Sequence, residues 1–144
     1  MIKLIKRSNL LEELPKIEPA LERALTKTDL RDFWTIGDLI NHVVNDEVVL
    51  FYQQDSMYVG VLQTTFAPRT KILDFFWSGK DPSEPHPVDW DEIDDFLIHV
   101  AKELGCGIIQ CEGRRGWKPI LTARGYSEDS VIYTKKVPYE LPSV

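Results

Sequence analysis

The chain has 144 residues, 43% of them hydrophobic, which is enough to cover one core, so we expect a single domain. Acidic residues outnumber basic ones by 23 to 17, and the formal charge of −6 gives no general attraction to phosphate backbones or anionic lipid. No run of about 20 apolar residues occurs, so the composition argues against a membrane span and against nucleic acid as a partner, and it predicts a soluble cytoplasmic protein.

The cysteines and histidines form no recognisable metal or redox motif. Cys106 and Cys111 lie five residues apart in a segment of strand composition, and an odd offset places two side chains on opposite faces of a strand. The three histidines have no ligand spacing. We therefore expect neither a disulfide nor a metal site.

The first 45 residues predict one strand and two helices. Residues 2–7 alternate apolar and charged side chains, which indicates a short strand. A helical pattern follows, and Pro15 and Pro19 are expected to divide it. Thr35, with Asp38 three residues later, forms a capping pattern ahead of an apolar run, so a second helix is expected to begin there.

The middle of the chain predicts a meander of three antiparallel strands at the centre of a sheet. Three segments are rich in β-branched and aromatic residues, and polar or proline-containing turns separate them. A polar loop with three prolines follows at residues 78–87. The predicted strands are residues 47–52, 57–66 and 71–77.

The last third predicts two helices and two strands. A long amphipathic helix begins at Trp90 and ends at Gly105, a residue type that tolerates the left-handed conformation. A right-handed crossover would make the next strand parallel to its neighbour. The remaining predicted elements are a strand at 107–112, a short helix at 114–123, a last strand at 130–137 and a loose tail at 138–144.

This order, β-α-α-β-β-β-α-β-α-β, together with Glu112-Gly113-Arg114-Arg115-Gly116-Trp117 and the Gly125-Tyr126 turn, resembles the GCN5-related N-acetyltransferase (GNAT) fold. The resemblance is strongest to divergent versions encoded by bacteriophages, and it covers residues 1–137 as one GNAT-like domain. It implies an α/β (α+β) fold, in which a mixed, mostly antiparallel sheet has helices on both faces. It also implies a family activity, the transfer of an acetyl group from acetyl-CoA to an amine.

The family's pyrophosphate-binding loop lies between the fourth strand and the long helix, where backbone N–H groups and the helix N-terminus bind the anion. Here that location runs from Gly79 to Trp90, and its prolines lack the N–H group that such a loop needs. The helix also begins among carboxylates, which stabilise its N-terminus and repel a pyrophosphate. Asp89 as N-cap, with Glu92 as its capping-box partner, accounts for these acids, so no cofactor is expected.

The family's catalytic tyrosine is also missing. It lies four residues before the glycine of the Gly-aromatic turn and protonates the departing thiolate, and this chain has Leu121 there. Tyr133 is a substitute acid, although an aromatic residue on a strand usually packs in the core. Asp74 and Glu112 are candidate general bases, although a mid-strand acid more often lies on a solvated face.

These observations leave three hypotheses. The first is a degenerate GNAT-fold protein that acts as a protein-interaction or virion-associated module in a bacteriophage, with a virion or host protein as partner, in the virion or the host cytoplasm. The second is an active acetyl-CoA-dependent N-acetyltransferase, whose cofactor contacts would come from Trp77, Gly79, Lys80 and Arg114. The third is a nucleic-acid binder that uses the cluster Arg114, Arg115, Lys118 and Arg124. We favour the first and leave enzymatic activity open, leaning against it.

Overall fold

A five-stranded sheet organises the first part of the chain. The computed structural model of the protein describes residues 1–112 and 115–138, apart from the Arg115 side chain. The strands are β1 (Ile2–Ile5), β2 (Val49–Gln53), β3 (Tyr58–Ala67), β4 (Thr70–Lys80) and β5 (Ile108–Cys111). They lie in the order β1-β2-β3-β4-β5, with β1 to β4 antiparallel and β5 parallel to β4. The predicted central meander is confirmed.

Helices cover both faces of this sheet. They are α1 (Leu10–Lys27), α2 (Ile36–Val44) and α3 (Trp90–Leu104), and short 3-10 turns occur at Asp29–Asp32 and Arg115–Trp117. On one face, Trp77 of β4 hydrogen-bonds to α1, and its ring centroid lies 6.2 Å from that of Trp34, which precedes α2. On the other face, the ring centroids of Phe51 of β2 and Phe96 of α3 lie 4.7 Å apart. The expected fold class, a mixed and mostly antiparallel sheet between helices, is confirmed.

The contacts divide the chain into two compact units, residues 1–113 and 114–144. The first contains the sheet with its three helices. The second contains α4 (Lys118–Thr122) and the residues around it. A single domain over residues 1–137 stays a prediction.

Helix α1 runs without a break through both of its prolines, so the prediction that Pro15 and Pro19 divide it is wrong. Each proline removes one backbone donor, which leaves the carbonyl four residues earlier without its helical partner. Leu11, one of those residues, is 90% exposed, so water can reach its carbonyl. Burial of the opposite side of the helix, including Ile17 and Leu21, supplies the compensating stabilisation.

The caps predicted for α2 and α3 are found. The Asp38 N–H donates to Thr35 Oγ1 over 3.1 Å, and the Thr35 N–H donates to Asp38 Oδ2 over 2.9 Å, which is a complete capping box. Gly105 ends α3 with φ 71°, in the left-handed region. Both signals are local in sequence, and they therefore place these helix ends correctly.

Helix α1 lies unusually close to β4 at Gly79. A Cβ atom on this residue would lie 2.1 Å from the carbonyl oxygen of Ala20, which is a backbone atom of α1. Next to it, Trp77 is fully buried, and its indole N–H donates to the Leu21 carbonyl over 3.2 Å. These two contacts set the position of α1 on the sheet.

A buried carboxylate connects β1, α1 and β2. Glu13 accepts hydrogen bonds from Lys3 Nζ (2.6 Å) and from the Tyr52 hydroxyl (2.8 Å), and its side chain is only 2% exposed. The hydrogen bond from Lys3, followed by that from Tyr52, holds the pKa of the Glu13 carboxyl below its usual value. A buried acid with partners from two strands ties the helix to the sheet.

The second unit keeps the predicted helix and turn but lacks the predicted strand. Gly125 has φ 87°, and the Tyr126 N–H donates to the Leu121 carbonyl over 3.1 Å, which closes the C-terminus of α4. Residues 130–137 carry no regular secondary structure, so the strand expected there is wrong. Strand composition alone is insufficient, because a strand needs a hydrogen-bonding neighbour.

Gly79→Ala is expected to destabilise the fold by about 1–3 kcal/mol or more, because the new methyl group meets backbone rather than a movable side chain. Urea unfolding of the purified protein measures the effect. The matched control is Gly37→Ala in α2, where the nearest atom is 3.6 Å from the new Cβ. That variant should be as stable as the wild type or slightly more so, and equal losses in the two variants would contradict this account of the α1–β4 contact.

Glu13→Gln is expected to lower the free energy of unfolding at pH 7 by about 1.5–3 kcal/mol, since it replaces charge-assisted hydrogen bonds at a buried site. The pKa of Glu13 is lowered in the folded state, so its stabilisation is present above the ordinary value of 4.5 and is lost as the pH falls below it. The difference between variant and wild type should therefore shrink in acid.

The measurement is urea unfolding between about pH 3 and pH 7. Glu12→Gln, at an exposed neighbouring position, serves as the control and should follow the wild type throughout. If the free energy of unfolding that is lost in Glu13→Gln stays constant over this range, the charge of the carboxylate is not what stabilises the fold.

Candidate functional site

Strand β4 extends further than its sequence pattern predicts. It continues through Ser78, Gly79 and Lys80, which the sequence assigned to the following loop. Gly79 therefore pairs with Val59 of β3 and lies against α1. The true connection to α3 is residues 81–89, and the glycine expected to approach a phosphate packs against a helix instead.

The backbone of this connection is used within the protein. Three of the nine residues from Asp81 to Asp89 are prolines, so six N–H groups remain. Five of these six, all within the described part of the chain, donate to protein oxygens. Lys80, the one local cation expected to meet a phosphate, donates to the Glu84 carbonyl over 2.7 Å. The five N–H groups belong to Asp81, Ser83, Glu84, His86 and Asp89.

The N-terminus of α3 is closed by a side chain from β2. Gln53 is 2% exposed, and its Oε1 accepts a hydrogen bond from the Asp89 N–H over 3.0 Å. Its Nε2 donates to the Asp89 carbonyl and to Glu92 Oε1, both over 3.0 Å. Ser56 Oγ also donates to Gln53 Oε1, over 2.6 Å. We call Gln53, Ser56, Asp89 and Glu92 the helix-start network.

This network changes one part of the expected cap. Asp89 Oδ1 accepts from the Glu92 N–H over 3.2 Å, so Asp89 is the N-cap as predicted. The reciprocal bond is different, because the Asp89 N–H donates to Gln53 rather than to Glu92. The prediction of Glu92 as a capping-box partner is therefore wrong, and its carboxylate faces the Gln53 amide instead.

A pyrophosphate does not fit these residues. Five of the six N–H groups in the connection and the N–H of Glu92 donate to protein oxygens, and the carboxylates of Asp89 and Glu92 lie at the positive end of the helix dipole. Among the proposed cofactor contacts, Trp77 lies in the core, Gly79 packs against α1 and Lys80 binds the loop backbone. The fourth, Arg114, lies outside the described residues.

A second polar group of residues lies on the α1 side of the sheet, where β3, β4 and β5 meet. The strand register places Asp74 of β4 opposite Gln63 on β3 and beside Gln110 on β5. Gln63 Nε2 donates to Asp74 Oδ2 over 3.4 Å. Glu112 follows β5, and its N–H donates to the Phe75 carbonyl over 3.0 Å. We call Gln63, Asp74, Gln110 and Glu112 the sheet-face recess.

Asp74 is the buried member of this recess. It is 7% exposed, which overturns the expectation that a mid-strand acid lies on a solvated face, whereas Gln110 and Glu112 are exposed. Its Oδ1 atom is buried and has no hydrogen-bond partner among the described residues. An unpartnered buried oxygen of this kind is uncommon in native proteins.

The two acids of the recess influence each other. Burial raises the pKa of the Asp74 carboxyl, and the hydrogen bond from Gln63 only partly opposes this. Partial desolvation raises the pKa of the Glu112 carboxyl, and the nearby charge of Asp74 adds to the effect. Two desolvated carboxyl groups close together would both gain from a nearby positive charge.

The remaining catalytic candidate lies in the second unit. Tyr133 is 91% exposed and belongs to the segment without regular structure. Leu121, at the position of the family's tyrosine, lies in α4. Of the three candidate catalytic residues, Asp74 and Glu112 lie close together in the first unit, and Tyr133 belongs to the second.

The described members of the basic cluster are engaged as well. Lys118 forms an ion pair with Glu128 at 3.5 Å, and Arg124 donates to the Ile120 carbonyl over 2.9 Å. Neither contact arranges these cations as a row for a phosphate backbone. The other two cluster members, Arg114 and the Arg115 side chain, lie outside the described residues.

Sequence reasoning missed four residues of these sites, Gln53, Ser56, Gln63 and Gln110. They were interpreted as ordinary members of turns or strands, because a lone glutamine or serine carries no motif. The one sequence feature that could have pointed to Gln53 is its position at the end of a predicted strand, since strand ends often lie next to helix starts. Its partner lies 36 residues away, so only the assembled fold brings the two together.

No protein-family model matches this sequence, and no curated protein matches it. Solved structures do match. A GNAT family acetyltransferase from Staphylococcus aureus is 12% identical with TM-score 0.67, and the match covers 95% of this chain and 98% of that one. A predicted acetyltransferase with acetyl-CoA from Clostridium acetobutylicum is 14% identical with TM-score 0.67, covering 94% and 96%.

A third structure, described as a probable acetyltransferase, is 11% identical with TM-score 0.70, and the match covers 97% of this chain and 99% of that one. At these identities the likeness concerns the fold rather than the chemistry. Within the described residues, no helix has the length and apolar character needed to cross a bilayer.

From these structural matches, the chain has the fold of the GNAT acetyltransferases.

Asp74→Asn is expected to leave the fold intact and to make the protein about 1 kcal/mol more stable than the wild type at pH 7, because the amide removes a poorly solvated charge. The pKa values of Asp74 and Glu112 are raised on folding, so the stability linked to them is present at low pH and is lost as the pH rises through those values.

The gain in Asp74→Asn should therefore grow between about pH 4 and pH 7, as measured by urea unfolding. Asp95→Asn, at an exposed site on α3, is the control and should show no such trend. A variant that is less stable than the wild type at every pH would contradict this account of the recess.

Proposed function

We propose that this chain is a protein-binding module built on the GNAT fold, and that it does not bind acetyl-CoA as GNAT acetyltransferases do. The observation that carries the proposal is the helix-start network, in which Gln53 and Glu92 occupy the position where the fold would bind a pyrophosphate. An enzyme of this family would need the N–H groups at this helix start for its cofactor. Here the Asp89 N–H donates to Gln53 and the Glu92 N–H donates to Asp89.

Exposed apolar side chains at one end of the sheet support a protein partner. Phe66 is 80% exposed at the end of β3, and Lys71, its cross-strand neighbour, lies 5.4 Å above its ring. Ile108 at the start of β5 is 47% exposed. The strand register places these two side chains on opposite faces of the sheet, so each is a separate exposed apolar group, and exposed aromatic residues such as Phe66 are enriched at protein interfaces.

The setting we propose is a bacteriophage, with the protein acting in the host cytoplasm or in the virion on a virion or host protein. This part of the proposal rests on the resemblance of the Glu112–Leu121 segment and the Gly125-Tyr126 turn to divergent phage proteins. The acidic composition suits a protein partner better than a nucleic acid.

A second candidate function is N-acetyl transfer, and the sheet-face recess favours it. Asp74 and Glu112 would act there as general bases toward an amine, and a raised carboxyl pKa suits that role. The acetyltransferase from Clostridium acetobutylicum, whose structure includes acetyl-CoA, is similar to this chain in fold. We rank this candidate second because the α3 N-terminus does not fit the cofactor.

Titration of acetyl-CoA into the full-length protein tests the proposal. A ligand at one hundred times its Kd stabilises a protein by about 2.7 kcal/mol, which a thermal shift readily detects. We expect no shift with acetyl-CoA up to about 1 mM, whereas the Clostridium acetobutylicum protein, as positive control, should respond. Saturable stabilisation of this chain would overturn the proposal and favour the second candidate, for which acetylation of an amine would then be measured.

A further inference from the structure

We propose that the tip of the β3–β4 hairpin binds an extended, acidic segment of a partner protein, which adds to the sheet as a strand along the open edge of β3. This inference rests on the proposed protein-binding function and states which surface is used and which partner chemistry it binds. Three features carry it: a free strand edge, an exposed aromatic side chain, and positive charge without a partner carboxylate.

The two longest strands of the sheet extend beyond their neighbours. Strand β2 pairs with β3 only as far as Leu62, and β5 pairs with β4 only from Ile72 onwards. Strands β3 and β4 continue to pair with each other as far as Ala67 and Thr70. We call residues 64–71 the projecting ribbon, because among the described residues no third strand pairs with them.

The β3 edge of the projecting ribbon has backbone groups that can pair with a further strand. In an antiparallel pair, two residues opposite each other direct their backbone groups either both inwards or both outwards. Lys71, opposite Phe66, directs its carbonyl outwards, where it accepts a hydrogen bond from the Gly107 N–H over 3.0 Å. Phe66 therefore directs its own N–H and carbonyl to the opposite edge, and Thr64, two residues earlier, does the same. Extended peptides add to strand edges of this kind.

An exposed aromatic side chain lies on the same edge. Phe66 is 80% exposed although it belongs to a strand. A segment paired along β3 would place every second side chain on the face that carries the Phe66 ring, and it would bury part of that ring. Aromatic residues are enriched at protein interfaces for this reason.

The projecting ribbon is positively charged in an acidic protein. Residues 63–73 contain Arg69 and Lys71 and no aspartate or glutamate, whereas the whole chain has a formal charge of −6. Lys71 Nζ lies 5.4 Å from the centre of the Phe66 ring and donates to the Leu104 carbonyl. Neither cation forms an ion pair with a described carboxylate. A strand edge suits a polypeptide, and the net charge opposes a nucleic acid, so the charge complement is an acidic protein segment.

The test uses three capped heptapeptides as probes. The first alternates glutamate with valine, the second has glutamine in place of glutamate, and the third keeps glutamate but carries a methyl group on every backbone nitrogen. Each is titrated into the ¹⁵N-labelled full-length protein at pH 7 and followed by amide NMR. We expect saturable shifts at Thr64, Phe66 and their neighbours with the first peptide. The response should be at least about tenfold weaker with the other two, which lack the charge or the ability to pair as a strand.

Three variants complete the test. Arg69→Gln with Lys71→Gln removes both positive charges, and the response to the acidic peptide should fall at least about tenfold while the rest of the spectrum shows an intact fold. Phe66→Thr removes the ring, keeps a residue type that favours strands, and should also weaken the response. Arg23→Gln with Lys27→Gln removes two exposed cations of α1, changes the net charge equally, and should respond like the wild type.

Three results would overturn the proposal. One is an equal response to the glutamate and glutamine peptides, and another is a response that persists without Arg69 and Lys71. The third comes from a single-stranded oligothymidylate as a further probe. If it shifts the projecting ribbon more strongly than the acidic peptide does, and loses this effect as salt is added, the surface binds nucleic acid instead.

The acetyl-CoA titration separates this inference from the proposed function. Binding of the acidic peptide, without stabilisation by acetyl-CoA, supports both proposals. Binding of the peptide by a protein that acetyl-CoA does stabilise supports the projecting ribbon as a docking surface and overturns the non-catalytic function. No binding of the acidic peptide overturns the docking surface alone.

Discussion

The placement of α3 depends on one glutamine. Gln53 uses its amide oxygen and nitrogen to bind the N-cap residue of α3 on both its N–H and its carbonyl, and it also reaches Glu92. A buried amide with all of these contacts satisfied holds a helix start to a strand end more specifically than apolar packing does. The same contacts remove the anion-binding property that a free helix N-terminus has. The contacts that hold α3 in place therefore also oppose the binding of an anion at its start.

Two buried polar side chains, Gln53 and Asp74, differ in how completely they are satisfied. At the α3 start, both ends of the Gln53 amide have partners. In the sheet-face recess, Asp74 keeps one buried oxygen without a partner, and this costs about 1–3 kcal/mol. An unsatisfied buried oxygen does not help the protein to fold. Departures of this kind from the rules of stable hydrogen bonding are expected at functional positions. Asp74 is therefore the less completely satisfied of the two buried polar side chains.

The sequence predicted those parts of the fold whose signals are local. The capping box of Thr35 and Asp38 and the glycine at the end of α3 are written within a few residues, and the central meander follows from strand composition. Predictions that depend on distant partners were less successful. Pro15 and Pro19 remain helical because the other side of α1 is buried, and residues 130–137 have strand composition but form no strand. Neither fact is visible in a short window of sequence.

The candidate site also has features that the sequence predicted and features that depend on residues far apart in the chain. Asp74 was identified from its residue type and its place on the fourth strand, but its burial follows from its position between β3 and β5. The sequence indicated that the prolines and acids before α3 are unsuited to a pyrophosphate, and the structure adds the mechanism, since Gln53 takes the Asp89 N–H. A proline-rich loop alone could still leave a helix N-terminus open to an anion. Here five of the six N–H groups in that loop are engaged and the N-cap of α3 is held by a strand, so the structure closes this helix N-terminus more completely than the prolines alone would.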